Sequence, residues 1–174
     1  MKYIVFFCTL FVSMLVSSCS KEKIYKESEY QKSYKAWLKF KEEAGNSYRY
    51  TTQWSSWTGI SGTMNITVVS GKITARDYKV IGWDPENPGQ LITFEEWQED
   101  ATSLHTHNPT PSLTLDEVYA NAKNVWLKVD KDDNYISFES RNNGIISTCG
   151  YAPRSCVDDC FIGIMISEIK KLSE

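Results

Sequence analysis

Tyr48, Tyr50, Thr52 and Trp54 alternate with other residues, and Met64, Ile66 and Val68 repeat the same period of two. That period places every second side chain on one face of an extended chain, so these segments are half-buried strands. A strand of this kind needs neighbours, and Ser70-Gly71 supplies a tight hairpin turn into a further strand over 73–78. The alternation returns over 135–140, 145–151 and 161–169, where Ile162, Ile164 and Ile166 share a face.

Helical periodicity precedes each group of strands. Over 29–44, Tyr30, Tyr34, Trp37, Leu38 and Lys41 recur at three- and four-residue steps; the aromatic ones line a stripe, Lys41 must snorkel, and Gly45-Asn46 stops the helix. Thr114-Leu-Asp-Glu117 is a capping box: the Thr114 hydroxyl takes a backbone N–H and Glu117 reaches back. Leu115, Val118, Tyr119, Ala122, Val125, Trp126 and Val129 then mark one apolar face. The expected fold class is therefore α+β: an antiparallel sheet with two helices packed on one face, in the order helix, three strands, helix, three strands.

The chain opens Met1-Lys-Tyr and continues with an apolar core over 4–16. This is a signal-peptide pattern, too short for a membrane-spanning helix of about 20 residues. The segment ends Val16-Ser-Ser-Cys19, which resembles the bacterial lipobox, where the chain is cut before the cysteine and its thiol is acylated. The resemblance implies a signal peptide over 1–18 and a lipid on Cys19, palmitate among its chains, with each buried methylene contributing about 0.8 kcal/mol. Ser20 in place of aspartate implies, by likeness to lipoprotein sorting in diderm bacteria, the outer membrane. Residues 19–28 are charged and read as a tether, leaving 29–174 as one domain. Cutting after Ser18 removes Lys2 alone of the charged residues, so 18 basic against 22 acidic residues remain, a balance of −4. Nucleic-acid binding needs clustered Lys and Arg, so that partner class is excluded.

In an exported chain Cys149, Cys156 and Cys160 meet an oxidising compartment. They lack redox Cys-x-x-Cys spacing and tight zinc-ligand spacing, so a staple is expected. Cys156–Cys160 closes the smaller loop and leads; Cys149–Cys160 is its rival.

Residues 81–112 form a long connection holding Trp83, Trp97 and both histidines, with a short helix expected over 94–100. His105-Thr-His107 with Glu95, Glu96 or Glu99 has donor types for a transition metal, though a polar loop with incidental histidines is favoured. Asp130-Lys-Asp132-Asp133-Asn134 starts like a calcium loop but has Tyr135 where glycine belongs, so it reads as a solvated turn. Asp158-Asp159 offers paired carboxylates, or caps a turn beside the staple. No cofactor is expected. In Trp54-Ser-Ser-Trp57 two rings three residues apart on an extended chain face opposite ways, so Trp57 points outward if Trp54 is core. Trp57, Trp83 and Trp97 are the candidate interaction surface.

Several short motifs, together spanning about residues 37–170, resemble a domain-of-unknown-function family of bacterial lipoproteins and other secreted proteins. They are Asn46-Ser-Tyr48-Arg-Tyr50, Ile66-Thr-Val68 with Ser70-Gly71-Lys72, Thr114-Leu-Asp116-Glu117-Val-Tyr119, Asn143 to Tyr151, and Asp158-Asp159-Cys160 to Ile164. The resemblance implies a small α+β domain in the envelope or outside the cell, and no activity. The expected function is non-catalytic: a lipid-anchored envelope module binding a protein or glycan, an inhibitor or immunity lipoprotein being a specific version. The rival is an envelope hydrolase or metal-binding enzyme using His105/His107 or Asp158/Asp159.

Overall fold

Ser70 and Gly71 both hold positive φ, 50° and 78°, the mirror-image turn whose twist suits the strands on either side. It joins β2 (Ser61–Val69) to β3 (Lys72–Trp83) in a computed structural model that describes residues 24–108 and 112–172. The expected signal peptide, Cys19 and the first part of the tether lie outside the described residues. With β1 (Tyr48–Ser55) and β4 (Leu91–Glu99) these strands make a four-stranded meander. A second meander contains β5 (Asn134–Glu139), β6 (Thr148–Pro153) and β7 (Ile162–Lys171). The first and last strands pair, which joins the two meanders into a seven-stranded antiparallel sheet of order β4-β3-β2-β1-β7-β6-β5.

This architecture corrects the expected arrangement. One sheet dominates the molecule, and four strands separate the helical segments where three were expected. The added strand is β4, formed by the segment expected as a short helix over 94–100. Phe94 and Trp97 lie one helical step apart, but Trp97 pairs with Tyr78 and Glu99 with Arg76, and both are buried in that register. Pairing and burial override the local period. Glu95 and Glu96 then suit an edge position, where charge discourages further strand addition.

The second helix is also shorter than its apolar stripe. Leu115–Asn121 is α-helical and carries the expected capping box, but Ala122–Trp126 widens into a π-helical turn. There the Leu127 N–H reaches back five residues to the Ala122 carbonyl at 3.0 Å. The extra residue per turn rotates Val125 outward, 49% exposed, and brings Leu127 into the core instead.

The core is aromatic, and its polar atoms are partnered. The first helix, α1 (Glu27–Glu43), buries Tyr30, Ser33 and Trp37. The Trp37 ring meets Tyr48 edge-on at 5.2 Å, and its N–H donates to Asp116 at 3.0 Å. Lys41 snorkels to the same carboxylate at 2.6 Å. The Tyr119 hydroxyl donates to the Ser33 carbonyl and accepts from the Ile146 N–H, and the Tyr48 hydroxyl accepts from the Leu115 N–H. Each buried ring thus ties a helix to a strand or loop as well as filling space. Ile24 is buried and the Tyr25 N–H donates to the Leu127 carbonyl, so the folded body begins inside the segment expected as tether.

Candidate functional site

β1 and β7 pair from Tyr48↔Lys171 to Thr52↔Ile166 and then part. Beyond that rung β1 runs on against β2 alone, while Ile162–Met165 of β7 pairs with β6. Two facing glycines let β7 change partner. A Cβ on Gly163 would sit 2.2 Å from the Cys149 carbonyl oxygen, and one on Gly150 would sit 2.4 Å from that of Ile162. β6 and β7 therefore approach more closely than side chains allow, and a gap opens between β7 and β1. The Ser56 hydroxyl bridges its far end, donating to the Asp159 carboxylate at 2.7 Å. The gap is a cavity of about 300 Å³ with Gln53, Trp54, Ser55 and Ser56 on one wall and Asp159, Phe161, Gly163 and Met165 on the other. A second cavity of about 240 Å³ shares Gln53, Trp54, Ser55 and Met165 and reaches Gly62 and Thr63.

Aromatic rings crowd this end of the first meander. Trp57, in the turn after β1, is 76% exposed, and Trp83 at the end of β3 is 54% exposed. Trp54 is not a core residue: it is 41% exposed and lies over Gly62, where a Cβ would come within 2.3 Å of its Nε1. Trp83 lies in the same way over Gly59, and Phe94 over Gly82. Trp54 and Phe94 were missed as surface residues. Their signal is an aromatic set beside a glycine on a neighbouring segment, legible only once the register is known.

Trp97 does not belong to this surface. It is 8% exposed, stacks on His107 at 5.3 Å and lies 5.4 Å from the Arg76 guanidinium carbon. Beside it Glu99 accepts from Arg76 Nε at 2.7 Å and from the backbone N–H groups of His105 and His107 at 3.0 and 2.8 Å. Burial pushes this carboxyl up, but the His107 N–H, the Arg76 side chain and the His105 N–H outweigh it and hold it at about 2. Glu99 therefore serves to fasten the loop after β4 to the sheet. The histidine rings lie outside that contact set except for a 3.6 Å approach of His107 Nδ1. Among the described residues no group of three His, Cys, Asp or Glu side chains is placed to hold a metal ion.

Cys156 and Cys160 form a disulfide, and Cys149 is free and buried. Burial pushes the Cys149 thiol up to about 12, which leaves it inert as a nucleophile. The staple brings Asp159 to the cavity mouth, and Asp158 and Asp159 are both exposed: Asp159 takes the Ser56 hydroxyl, and both sulfurs approach the Asp158 backbone carbonyl. Asp130 accepts from the Asp132 N–H at 2.8 Å in a solvent-facing turn.

No family model, no curated protein and no solved structure matches the chain. What the fold and site define is a class: a sheet-dominated domain with an aromatic-rimmed gap between its two meanders.

Proposed function

We propose that the chain is a lipid-anchored protein of the bacterial cell envelope that acts by binding, through the end of the first meander that carries Trp57 and Trp83. The exposure of these two indoles carries the reading: Trp57 follows the cavity-lining Ser56 in the chain, and Trp83 lies over Gly59 of the same turn. A large ring left in water gains contact area when a partner covers it, at low conformational cost, which is why Trp dominates binding hot spots. Two of the four groups that supported a hydrolase have other contacts: His107 stacks on Trp97, and Asp159 bridges to Ser56. The Val16-Ser-Ser-Cys19 motif supports the anchor, and Ser20 supports the outer membrane.

Two measurements test this. Intact mass of the membrane-extracted chain should show a polypeptide starting at Cys19 and carrying acyl chains; an uncut, unacylated chain overturns the anchor. Chain made without its lipid, from Ser20 onward, should co-sediment with isolated envelope material, and its Trp57→Ala/Trp83→Ala variant with an unchanged melting temperature should not. Equal retention of the variant overturns the binding surface.

A further inference from the structure

We propose that the gap between β1 and β7 is a subsite for one neutral sugar ring, with the Trp54 indole as its platform. This assigns a ligand class to the binding module proposed above and rests on that reading.

Shape excludes the obvious alternative. An extended peptide inserted between two strands needs about 4.8 Å of spacing on each side along its whole length. Here the walls meet at the Thr52↔Ile166 rung and again at the 2.7 Å Ser56–Asp159 bond. The space is short and closed at both ends in the plane of the sheet, but open to solvent above it. At about 300 Å³ it lies at the small end of ligand pockets, which run from roughly 300 to 1,000 Å³. That is room for a single ring.

The lining matches a sugar's two kinds of surface. A pyranose offers C–H groups on a face and hydroxyls around its rim, each hydroxyl both donor and acceptor. Trp54 offers a flat apolar face, and its Nε1–H makes no hydrogen bond among the described residues, nor do the Gln53 amide and the Ser55 hydroxyl. Asp159 adds acceptor capacity beyond its bond to Ser56. Gly62 is what allows the indole to lie along β2. The one titratable group among these lining residues is acidic and no cation is present, so a phosphorylated or carboxylated ligand is disfavoured.

The test uses the mature full chain with ¹⁵N-labelled tryptophan. The probes are the methyl glycosides of glucose, galactose, mannose and N-acetylglucosamine, each titrated to about 10 mM, well above a millimolar constant. At least one should shift the Trp54 indole N–H saturably, with Trp97 unmoved. Gln53→Ala should weaken binding about tenfold, Gly62→Val should abolish it by displacing the ring, and glucose 6-phosphate should bind more weakly than glucose. The subsite is overturned if no glycoside shifts Trp54 saturably, or if binding, read by calorimetry, survives both Gly62→Val and Trp54→Ala. The two proposals fail separately. Envelope retention that needs Trp57 and Trp83 while no glycoside reaches Trp54 overturns the sugar subsite alone. A saturable Trp54 shift with retention indifferent to Trp57 and Trp83 overturns the proposed surface and supports the subsite.

Discussion

Arg76 and Glu99 form an ion pair with neither side chain exposed, 2.5 Å between Nη2 and Oε2. The pair joins β3 to β4, and its remaining capacity is spent on the following loop: Arg76 donates to the Asn108 carbonyl, and Glu99 accepts two backbone N–H groups. Removing one partner leaves a buried charge uncompensated, which costs about 3–5 kcal/mol. Arg76→Met should therefore lower the unfolding free energy by about that amount, read from the urea midpoint. A second substitution, Glu99→Leu, should restore part of the loss.

The same carboxylate gives a pH dependence of known sign. Folding lowers the Glu99 pKa from 4.5 to about 2. Its stabilisation is fully present above the unfolded value and disappears as pH falls from 4.5 through about 2. Stability of the wild type should fall over that window. Glu99→Gln should be less stable near neutral pH but should lose less on acidification, as followed by denaturant midpoints across the range.

Glycines at the site separate two kinds of crowding. At Gly62 an added Cβ meets the Trp54 ring, whereas at Gly163 it meets the Cys149 backbone. A half-exposed side chain can swing away; a paired strand cannot. Gly62→Ala should shift the tryptophan emission with a stability change under about 1 kcal/mol. Gly163→Ala should cost about 1–3 kcal/mol or more, measured by thermal melting.

Thiol chemistry reports on the staple and the core together. Cys156 and Cys160 are paired and Cys149 is buried with its pKa pushed up to about 12. The mature acylated chain should show no reactive thiol when native and one when denatured without reductant, counted with a chromogenic disulfide reagent.

Several local signals in the sequence appear in the structure. The alternation at Tyr48 and Tyr50, the Ser70-Gly71 turn and the Thr114 capping box each rest on neighbours within a few residues. What was not legible depends on distant partners. β4 carries a helix-like Phe94/Trp97 step, and only pairing with Tyr78 and Arg76 makes it a strand. Trp97 looked like a surface ring because nothing local shows that His107 and Arg76 cover it. The gap is closed by Ser56 and Asp159, 103 positions apart, so no spacing in the chain announces it.

The binding claim is tested most directly by an isotherm of the mature protein against soluble polysaccharide released from the envelope, wild type beside Trp57→Ala/Trp83→Ala. Loss of one hot-spot indole costs about 1.4 kcal/mol or more, a factor of ten. The double variant should bind at least about tenfold more weakly with an unchanged melting temperature. Affinity within about twofold of wild type would contradict the account.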